Sequence, residues 1–220
     1  MKLETKLDKD SQNASTEPAQ DDVIQMVAFD FDGTITTTDT LALFFRYYSG
    51  TPRWLWNIIK ISPTLIGYVL KIVPRDTVKA KLVRTFFKGA DANHLNERAA
   101  QFAREVIPGL IRPAALEAIK TRNIPPYTLY ICSASISPYL EVWAKDNGID
   151  RVIATKLEVV NGRLTGELDG PNCWGPGKIT KIAAEMAGKP YKLVEAYGDT
   201  RGDREMLHAA EVSFFKPFRL

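Results

Sequence analysis

Residues 23–34 read V-I-Q-M-V-A-F-D-F-D-G-T, an apolar run that ends in two carboxylates, a glycine and a threonine. The run suits a strand that is buried on both faces, as the strands of a parallel sheet are, and Gly33 would end it. Ligands of open α/β sheets bind just outside the carboxyl ends of the strands, which is where Asp30 and Asp32 would lie. This stretch therefore predicts a parallel sheet with an acidic site at the end of its first strand.

The pair of carboxylates gives the first functional indication. Asp30 and Asp32 would repel each other at a strand end, and a hard divalent cation with oxygen ligands, typically Mg²⁺, relieves such repulsion. An acidic turn with a capping threonine is the simpler explanation for an isolated pair. The polar residues farther along the chain decide between these two interpretations.

The rest of the chain alternates between helix and strand signals. Three further apolar runs predict buried strands, at residues 127–132, 152–155 and 191–197. Asn161-Gly162 is a strong signal for a two-residue turn, and it predicts a β-hairpin over 157–168. The predicted fold class is therefore α/β, a Rossmann-like doubly wound parallel sheet with a small β-hairpin.

Only helix signals occur between the first two strands. Helix starts are expected at Thr38 or Asp39, at Asp76 and at Asp91, and Pro63 is expected to kink or split a further helix. We predict three segments on this basis: a disordered tail at 1–22, a catalytic core formed by 23–37 and 108–220, and a helical cap at 38–107.

The composition, with 45% hydrophobic and 25% charged residues in 220, is typical of a globular protein. Cys132 and Cys173 lack the spacing of a zinc site or of a disulfide framework, which fits a reducing compartment. The first residues are polar and contain no apolar signal segment. We therefore predict a cytoplasmic protein.

Residues 43–89 combine positive charge with apolarity. Nine basic residues and Asp76 alone give this window a net charge of +8, against +3 for the whole chain. Within it, residues 54–73 are about as long as a bilayer core is thick, although two lysines argue against a simple span. A wide apolar face with a narrow lysine stripe is typical of a helix in a membrane interface, which predicts an anionic membrane surface as partner, on the inner face of the cytoplasmic membrane. A cap packed on itself is the alternative, and no nucleic-acid signature is found.

Four polar motifs follow the predicted strands in order. They are D-F-D-G-T at 30–34, Ser133 in I-C-S-A-S, Lys178 after a gap, and G-D-T-R-G-D at 198–203. Each residue alone could be a cap or a surface residue, but the set resembles the four motifs of the haloacid dehalogenase superfamily from about Val23 to the end. The helical insertion directly after the first motif resembles the phosphoserine-phosphatase-like branch, subfamily IB.

The resemblance implies a role for each motif residue. Asp30 is the expected nucleophile, which would form an aspartyl-phosphate, and Asp32 is the expected general acid and base. Mg²⁺ would be bound by Asp30, Asp199 and the main-chain carbonyl of Asp32. Asp203 would either bind the metal directly or hold one of its ligands in place. Lys178 would also screen Asp30 from the phosphate it approaches. The phosphate-binding group is expected to comprise Thr34, which orients the loop, Ser133 and Lys178.

Three functions remain open at this point. The first is a Mg²⁺-dependent phosphomonoesterase for a lipid phosphate such as phosphatidylglycerophosphate. The apolar and cationic cap favours this function. The second is a soluble small-metabolite phosphatase of the phosphoserine type, and the third is an inactive membrane-surface adaptor, against which the complete motif set argues. Asp39 lies nine residues after Asp30, where the resemblance implies a substrate contact, but a helix N-cap explains Asp39 equally well.

Overall fold

The computed structural model describes residues 23–219, so the tail predicted at 1–22 lies outside the described part. The strands are β1 (Ile24–Phe29), β2 (Tyr127–Ile136), β3 (Arg151–Val160), β4 (Arg163–Asp169), β5 (Tyr191–Gly198) and β6 (Val212–Phe215). They form one sheet in the order β4-β3-β2-β1-β5-β6. Neighbouring strands pair in parallel except β3 and β4, which form an antiparallel hairpin. The predicted α/β class, with a parallel sheet and a small hairpin, is confirmed.

The helices of the described segment are α1 (Thr40–Ser49), α2 (Thr51–Val69), α3 (Arg75–Phe87), α4 (Ala92–Glu105), α5 (Pro113–Arg122), α6 (Ser137–Asp146), α7 (Pro176–Met186) and α8 (Arg204–Ala209). The first four, α1 to α4, lie between β1 and β2, and we refer to them as the cap. Short 3₁₀ turns span Ile107–Leu110 and Arg201–Asp203. None of the helices between residues 23 and 219 combines the length and the apolarity that a bilayer span requires.

The central strand β1 determines where polar side chains can gather. Residues 26–29 are fully buried, as expected for a strand covered on both faces. Phe29 pairs with Ile131 of β2 on one side and with Tyr197 of β5 on the other. The segments that follow these three residues therefore emerge side by side at the carboxyl edge of the sheet.

An aromatic cluster joins the cap to the core. The ring centroid of Phe44 in α1 lies 5.2 Å from that of Phe102 in α4 and 5.3 Å from that of Tyr139 in α6. Phe102 and Tyr139 are 5.4 Å apart, and all three rings are buried. Aromatic pairs of this kind contribute about 0.5–1.5 kcal/mol each beyond the burial of apolar area. Helices α1 and α4 are therefore packed firmly on α6.

Main-chain hydrogen bonds hold the loop between α3 and α4 to the hairpin. The N–H of Gly89 donates to the carbonyl of Leu164 at 2.7 Å, and the N–H of Leu164 donates to the carbonyl of Ala90 at 2.9 Å. The N–H of Ala92 donates to the carbonyl of Gly162, also at 2.9 Å. Since Leu164 belongs to β4, this loop covers an edge of the sheet that would otherwise offer unpaired main-chain groups.

Helix α2 continues through Pro63. Of the two effects expected of this proline, a kink or a split, the split therefore does not occur. A proline has no N–H for the carbonyl four residues earlier, which here belongs to Ile59. The hydroxyl of Ser62 donates to this carbonyl at 2.8 Å and replaces the missing bond. A serine directly before the proline thus keeps the helix in one piece.

Two helix boundaries in the cap differ from the prediction. Helix α2 ends at Val69 rather than at Val73, because Lys71 has a positive φ of 60° and the chain turns there. Helix α3 follows Pro74, so Asp76 lies in its first turn and does not cap it. Proline before a helix restricts the backbone to the extended conformation that an N-cap position requires.

The strands around the site are longer than predicted. β2 continues past Ser133 to Ile136, because Ile136 pairs with Thr155 of β3 after an irregular stretch. β3 runs unbroken over Arg151–Val160 and joins the predicted third strand to the first arm of the hairpin. Ser133 therefore lies within a strand, at a point where pairing is interrupted.

Candidate active site

The carboxyl edge of the sheet brings together side chains from all four sequence motifs. Asp30 directly follows β1, Ser133 lies in the irregular part of β2, and Asp199 directly follows β5. Helix α7 brings Lys178 to the same edge, and the 3₁₀ turn after Asp199 brings Asp203. These five residues are separated by up to 173 positions in the sequence and are all buried.

Lys178 lies at the centre of the group and is 1% exposed. Its ammonium donates to Asp30 Oδ1 at 2.7 Å, to Asp203 Oδ1 at 2.6 Å and to the carbonyl of Cys132 at 2.5 Å. Burial alone would lower the pKa of Lys178, but the two carboxylates raise it well above its ordinary value. Lys178 is therefore a permanent cation that links the first motif to the fourth.

Three buried carboxylates form a candidate metal site. One carboxylate oxygen from each of Asp30, Asp199 and Asp203 lies within 4.8 Å of the others. Burial raises the pKa of Asp30 to about 8 against the opposing charge of Lys178, and burial together with Asp203 raises the pKa of Asp199. A divalent cation would favour the ionised forms, and an all-oxygen donor set is what Mg²⁺ prefers. The acidic triad therefore fits Mg²⁺.

Asp203 differs electrostatically from the other two members of the triad. Burial alone would raise its pKa, but the charge of Lys178 and several hydrogen bonds hold the pKa below its ordinary value. Its Oδ2 accepts from the N–H of Asp199 at 3.1 Å and from the N–H of Thr200 at 2.8 Å. Asp203 therefore stays ionised and also shapes the turn that carries Asp199.

The carboxylate of Asp32 contacts a different set of groups. Its Oδ1 accepts from the main-chain N–H of Thr40 at 2.7 Å and from the Thr40 hydroxyl at 2.5 Å, and its Oδ2 accepts from the hydroxyl of Ser135. Burial and the nearby charge of Asp39 raise the pKa of Asp32 to about 6. A carboxyl group that titrates near neutral pH can both donate and accept a proton. The contacts of Thr40 and Ser135 were not expected from the sequence, although Ser135 is the second serine of I-C-S-A-S.

Thr34 and Ser133 occupy different surroundings within the predicted phosphate-binding group. The Thr34 hydroxyl lies 3.3 Å from Asp30 Oδ2 and 3.4 Å from Asp199 Oδ1, so it orients two carboxylates. The Ser133 hydroxyl accepts from the N–H of Ser135 at 3.0 Å and borders the main cavity. Of these two hydroxyls, that of Ser133 is the one placed to meet a ligand in the cavity.

Gly33 provides the space that the acidic triad needs. Its φ is +81°, in the left-handed region that favours glycine. A Cβ atom at this position would lie 2.5 Å from Asp199 Oδ2. A larger residue at position 33 would therefore strain the turn and displace Asp199.

Two charged residues border the site from outside the four motifs. Asp39 is the N-cap of α1, with its carboxylate accepting from the N–H of Ala42 at 2.9 Å, and it also lines the cavity. The guanidinium of Arg219 donates to Asp199 Oδ2. No local sequence pattern indicated Arg219, because the contact depends on how the last residues fold back on the sheet edge.

A cavity of about 560 Å³ adjoins these residues. Its lining includes the polar side chains of Asp30, Asp32, Ser133 and Lys178. Apolar side chains of α1, α2 and α3 also line it, and these include Leu41, Phe45, Trp54, Ile58, Leu65 and Leu82. The volume is within the range of about 300–1,000 Å³ that is usual for small-molecule sites. The cavity therefore offers both charged and apolar groups to a ligand.

Comparisons with known proteins agree with this geometry. The family model of the haloacid dehalogenase-like hydrolases matches residues 27–208. Protein CicA of Caulobacter vibrioides is 36% identical over 195 residues, which cover 88% of this chain and 86% of that protein. A phosphoserine phosphatase of Streptomyces coelicolor is 30% identical over 102 residues, 46% of this chain and 25% of that protein. The crystal structure of a protein of unknown function from Bordetella pertussis Tohama I has a TM-score of 0.75 at 19% identity and covers 87% of this chain and 89% of that one.

The order of the motifs, the parallel sheet and the family match point to one conclusion. The structural likeness supports the fold, and the sequence match extends over most of the described chain. The expected cofactor also agrees, since phosphatases of this family use Mg²⁺ and the acidic triad fits it. The chain belongs to the haloacid dehalogenase-like hydrolases and is an enzyme of that family.

Proposed function

We propose that this enzyme hydrolyses phosphomonoesters through an aspartyl-phosphate on Asp30. Phosphoryl transfer needs positioning and charge neutralisation more than covalent help, so a nucleophile, a metal site and a few donors suffice. Asp30, Asp199 and Asp203 would hold Mg²⁺, which when bound neutralises negative charge on the phosphate. Lys178 and Ser133 supply the donors. The similarity to a phosphoserine phosphatase of Streptomyces coelicolor supports this reaction class.

The proposed reaction has two steps. In the first, a carboxylate oxygen of Asp30 attacks phosphorus, the bond between phosphorus and the leaving oxygen breaks, and Asp32 donates a proton to that oxygen. In the second, water attacks phosphorus, Asp32 accepts a proton from the water, and the bond between phosphorus and Asp30 breaks. Lys178 and Ser133 bind the phosphate oxygens in both steps. The near-neutral pKa of Asp32 suits a group that must alternate between acid and base.

We further propose that the substrate is a lipid phosphate, such as phosphatidylglycerophosphate. The observation that carries this proposal is the apolar part of the cavity lining, which includes Leu65, Ile58 and Trp54 of α2. A small polar substrate would leave these walls in contact with water. An acyl chain would cover them, with a gain of roughly 25 cal/mol for each Å² of apolar area removed from water.

Helix α2 also carries exposed apolar side chains that do not line the cavity. The side chains that are more than half exposed there are Leu55, Trp56, Ile59, Ile66 and Val69, and we call them the outer face of α2. Contiguous exposed apolar surface of this kind marks interaction sites in soluble proteins.

The predicted polar stripe of α2 does not form one exposed surface. Asn57 is buried, whereas Lys60 is exposed and places its ammonium 5.4 Å from the ring centroid of Trp56. The charge of Lys60 thus lies beside the outer face, as is typical of helices that lie in a membrane interface. We propose that this face rests on the anionic inner surface of the cytoplasmic membrane, from which lipid reaches the cavity.

A soluble phosphatase of the phosphoserine type is the second candidate. The Streptomyces coelicolor relative and the position of Asp39 on the cavity wall favour it. A substrate amine could pair with the Asp39 carboxylate, which already caps α1. This candidate shares the proposed roles of Asp30 and Asp32 and differs only in the molecule that fills the cavity.

A substrate panel distinguishes the two candidates. Phosphatidylglycerophosphate in detergent micelles and phosphoserine should be compared by phosphate release in the presence of Mg²⁺. We expect the lipid to be the better substrate, and Leu65→Asp to lower kcat/KM for the lipid by about tenfold or more while p-nitrophenyl phosphate is little affected, since a charge in the apolar wall opposes chain binding. Ile124→Asp, at an exposed position outside the cavity, is the control. Efficient hydrolysis of phosphoserine alone would favour the second candidate.

A further inference from the structure

Lys79 is a buried lysine of the cap for which the proposed reaction has no role. It lies in α3, is 7% exposed and borders the cavity. Among residues 23–219, no carboxylate forms an ion pair with its ammonium, and burial lowers the pKa of Lys79 to about 7. Burying an ammonium without a counter-charge costs free energy. The stability of the fold therefore does not explain a lysine at this position.

The ammonium of Lys79 crosses from the cap to three acceptors in the core. It donates to the carbonyl of Ala134, to the Thr155 hydroxyl at 2.7 Å and to Asn172 Oδ1 at 2.5 Å. Ala134 belongs to β2, Thr155 belongs to β3, and Asn172 lies in the segment between β4 and α7. These three acceptors engage the three N–H donors of the ammonium group.

One of these acceptors, the Ala134 carbonyl, directly follows a residue proposed to bind phosphate. Ala134 lies between Ser133 and Ser135, and the hydroxyl of Ser135 donates to Asp32. Displacement of the Ala134 carbonyl would therefore move both serines together.

Asn172 opens the turn that leads to Lys178. The carbonyl of Asn172 accepts from the N–H of Trp174 at 2.9 Å, and the carbonyl of Trp174 accepts from the N–H of Gly177 at 3.1 Å. The side-chain amide of Asn172 also donates to Asp76 Oδ1 at 2.8 Å. Helix α3 therefore holds this side chain from both ends, with Lys79 at the oxygen and Asp76 at the nitrogen.

We propose that Lys79 is a positioning residue through which the cap sets the distance between the Ser133 and Lys178 segments of the phosphate site. This inference rests on the proposed phosphatase function. Lys79 acts through the Ala134 carbonyl and the Asn172 side chain and makes no contact with the substrate. The phosphate site is then complete only when α3 is seated on the core.

The first test compares two lysines of the same helix. Lys79→Met removes the ammonium and keeps most of the side-chain volume, and Lys81→Met is the matched control because Lys81 is exposed on α3. With p-nitrophenyl phosphate and Mg²⁺, we expect Lys79→Met to lower kcat/KM by about tenfold to a hundredfold, the usual cost of losing a supporting group. Inhibition by inorganic phosphate should weaken by a similar factor. Values for Lys79→Met that match those of Lys81→Met in both measurements would overturn the proposal.

A double-mutant cycle tests the route through Asn172. If Lys79 acts through this side chain, the variant with both Lys79→Met and Asn172→Ala should be little less active than the less active of the two single variants. Losses that multiply would overturn the route. If Lys79→Met does not fold, Asn172→Ala alone carries the test, and unchanged kcat/KM and phosphate inhibition would then refute the proposal.

Direct binding separates this inference from the proposed function. Calorimetric titration with inorganic phosphate and Mg²⁺ measures the phosphate site without turnover. The wild type could bind phosphate but hydrolyse no phosphomonoester, while Lys79→Met binds phosphate at least about tenfold more weakly. The proposed phosphatase reaction would then be wrong, and the proposed role of Lys79 would stand. If the wild type neither hydrolyses phosphomonoesters nor binds phosphate, both proposals fail.

Discussion

The hydroxyl of Thr40 lies 2.5 Å from Asp32 Oδ1, and the main-chain N–H of the same threonine lies 2.7 Å from that oxygen. Thr40 is the first residue of α1, so the N-terminus of a cap helix holds the proposed general acid and base of the core. The positive end of the helix dipole favours the ionised form of Asp32, whereas burial raises its pKa to about 6. The position of α1 and the protonation of Asp32 are therefore coupled.

Removal of the Thr40 hydroxyl should impair proton transfer selectively. We expect Thr40→Val to lower kcat on an alkyl phosphate by about tenfold and to affect p-nitrophenyl phosphate less, because an aryl leaving group needs little help from an acid. Steady-state kinetics on both substrates measure the difference, with the exposed Thr77→Val as control. Equal losses on the two substrates would show that Thr40 does not act through Asp32.

Replacement of the proposed nucleophile should abolish turnover. Asp30→Asn is nearly isosteric and should leave the fold intact, while the activity on p-nitrophenyl phosphate falls by several orders of magnitude. Circular dichroism and phosphate release, measured beside Asp169→Asn as an exposed control, provide the comparison. More than a few per cent of wild-type activity in Asp30→Asn would rule out the assignment of the nucleophile.

The acidic triad should make the activity depend on Mg²⁺. Treatment with EDTA is expected to remove phosphatase activity, and Mg²⁺ but not Ca²⁺ to restore it, because Ca²⁺ takes more ligands at longer distances in a looser geometry. The measurement is a metal titration of the chelated enzyme. Full activity in EDTA, or equal restoration by Ca²⁺, would be inconsistent with a Mg²⁺ site at Asp30, Asp199 and Asp203.

Lys79 should leave a signature in the pH dependence of stability. Burial gives it a pKa of about 7 in the folded protein, below its ordinary value of 10.5. Between these values the unfolded chain binds more protons, so this group makes the free energy of unfolding rise with pH. The free energy of unfolding of the wild type minus that of Lys79→Met, measured with urea, should therefore increase from about pH 7 to about pH 10. The facing groups Arg75, Asp32, Asp76 and Cys173 are present in both proteins, and a flat difference would contradict the shift.

The outer face of α2 should bind anionic membranes. We expect the protein to float with liposomes that contain anionic lipid and to detach as salt shortens the screening length below about 8 Å. Each basic residue near such a surface contributes about 1 kcal/mol, so reversing Lys60 and Lys71 to Glu should release most of the protein. Reversal of the exposed Lys120 and Lys189 is the matched control. If no lipid composition gives flotation, the membrane proposal is wrong.

The motif residues could be predicted because local pattern and topology constrain them together. An apolar run that ends at Asp30 predicts a buried parallel strand, and parallel strands present their carboxyl ends at one edge. Ser133 lies near the carboxyl end of β2 and Asp199 follows β5, and both strands neighbour β1, so their approach to Asp30 follows from the strand order. Once the strands are predicted correctly, the approach of these three residues is predicted as well.

The cap contacts could not be predicted in the same way. Thr40 and Lys79 reach the core only because α1 and α3 pack against it in one orientation, and periodicity does not encode that orientation. Their partners Asp32 and Ala134 are 8 and 55 residues away in the sequence. The continuity of α2 could have been predicted locally. Ser62 directly precedes Pro63, and a serine hydroxyl there can donate a hydrogen bond to the carbonyl that the proline leaves without a partner.

The hydrogen bonds between the α3–α4 loop and β4 also determine how the cap can move. Gly89 and Ala92 tie that end of the cap to the sheet, whereas α2 buries only Asn57 and Ile61. Segments with few buried contacts open at the lowest free-energy cost. We therefore expect α2 to move more readily than α3, so that α3, with Lys79, stays in place while a substrate enters.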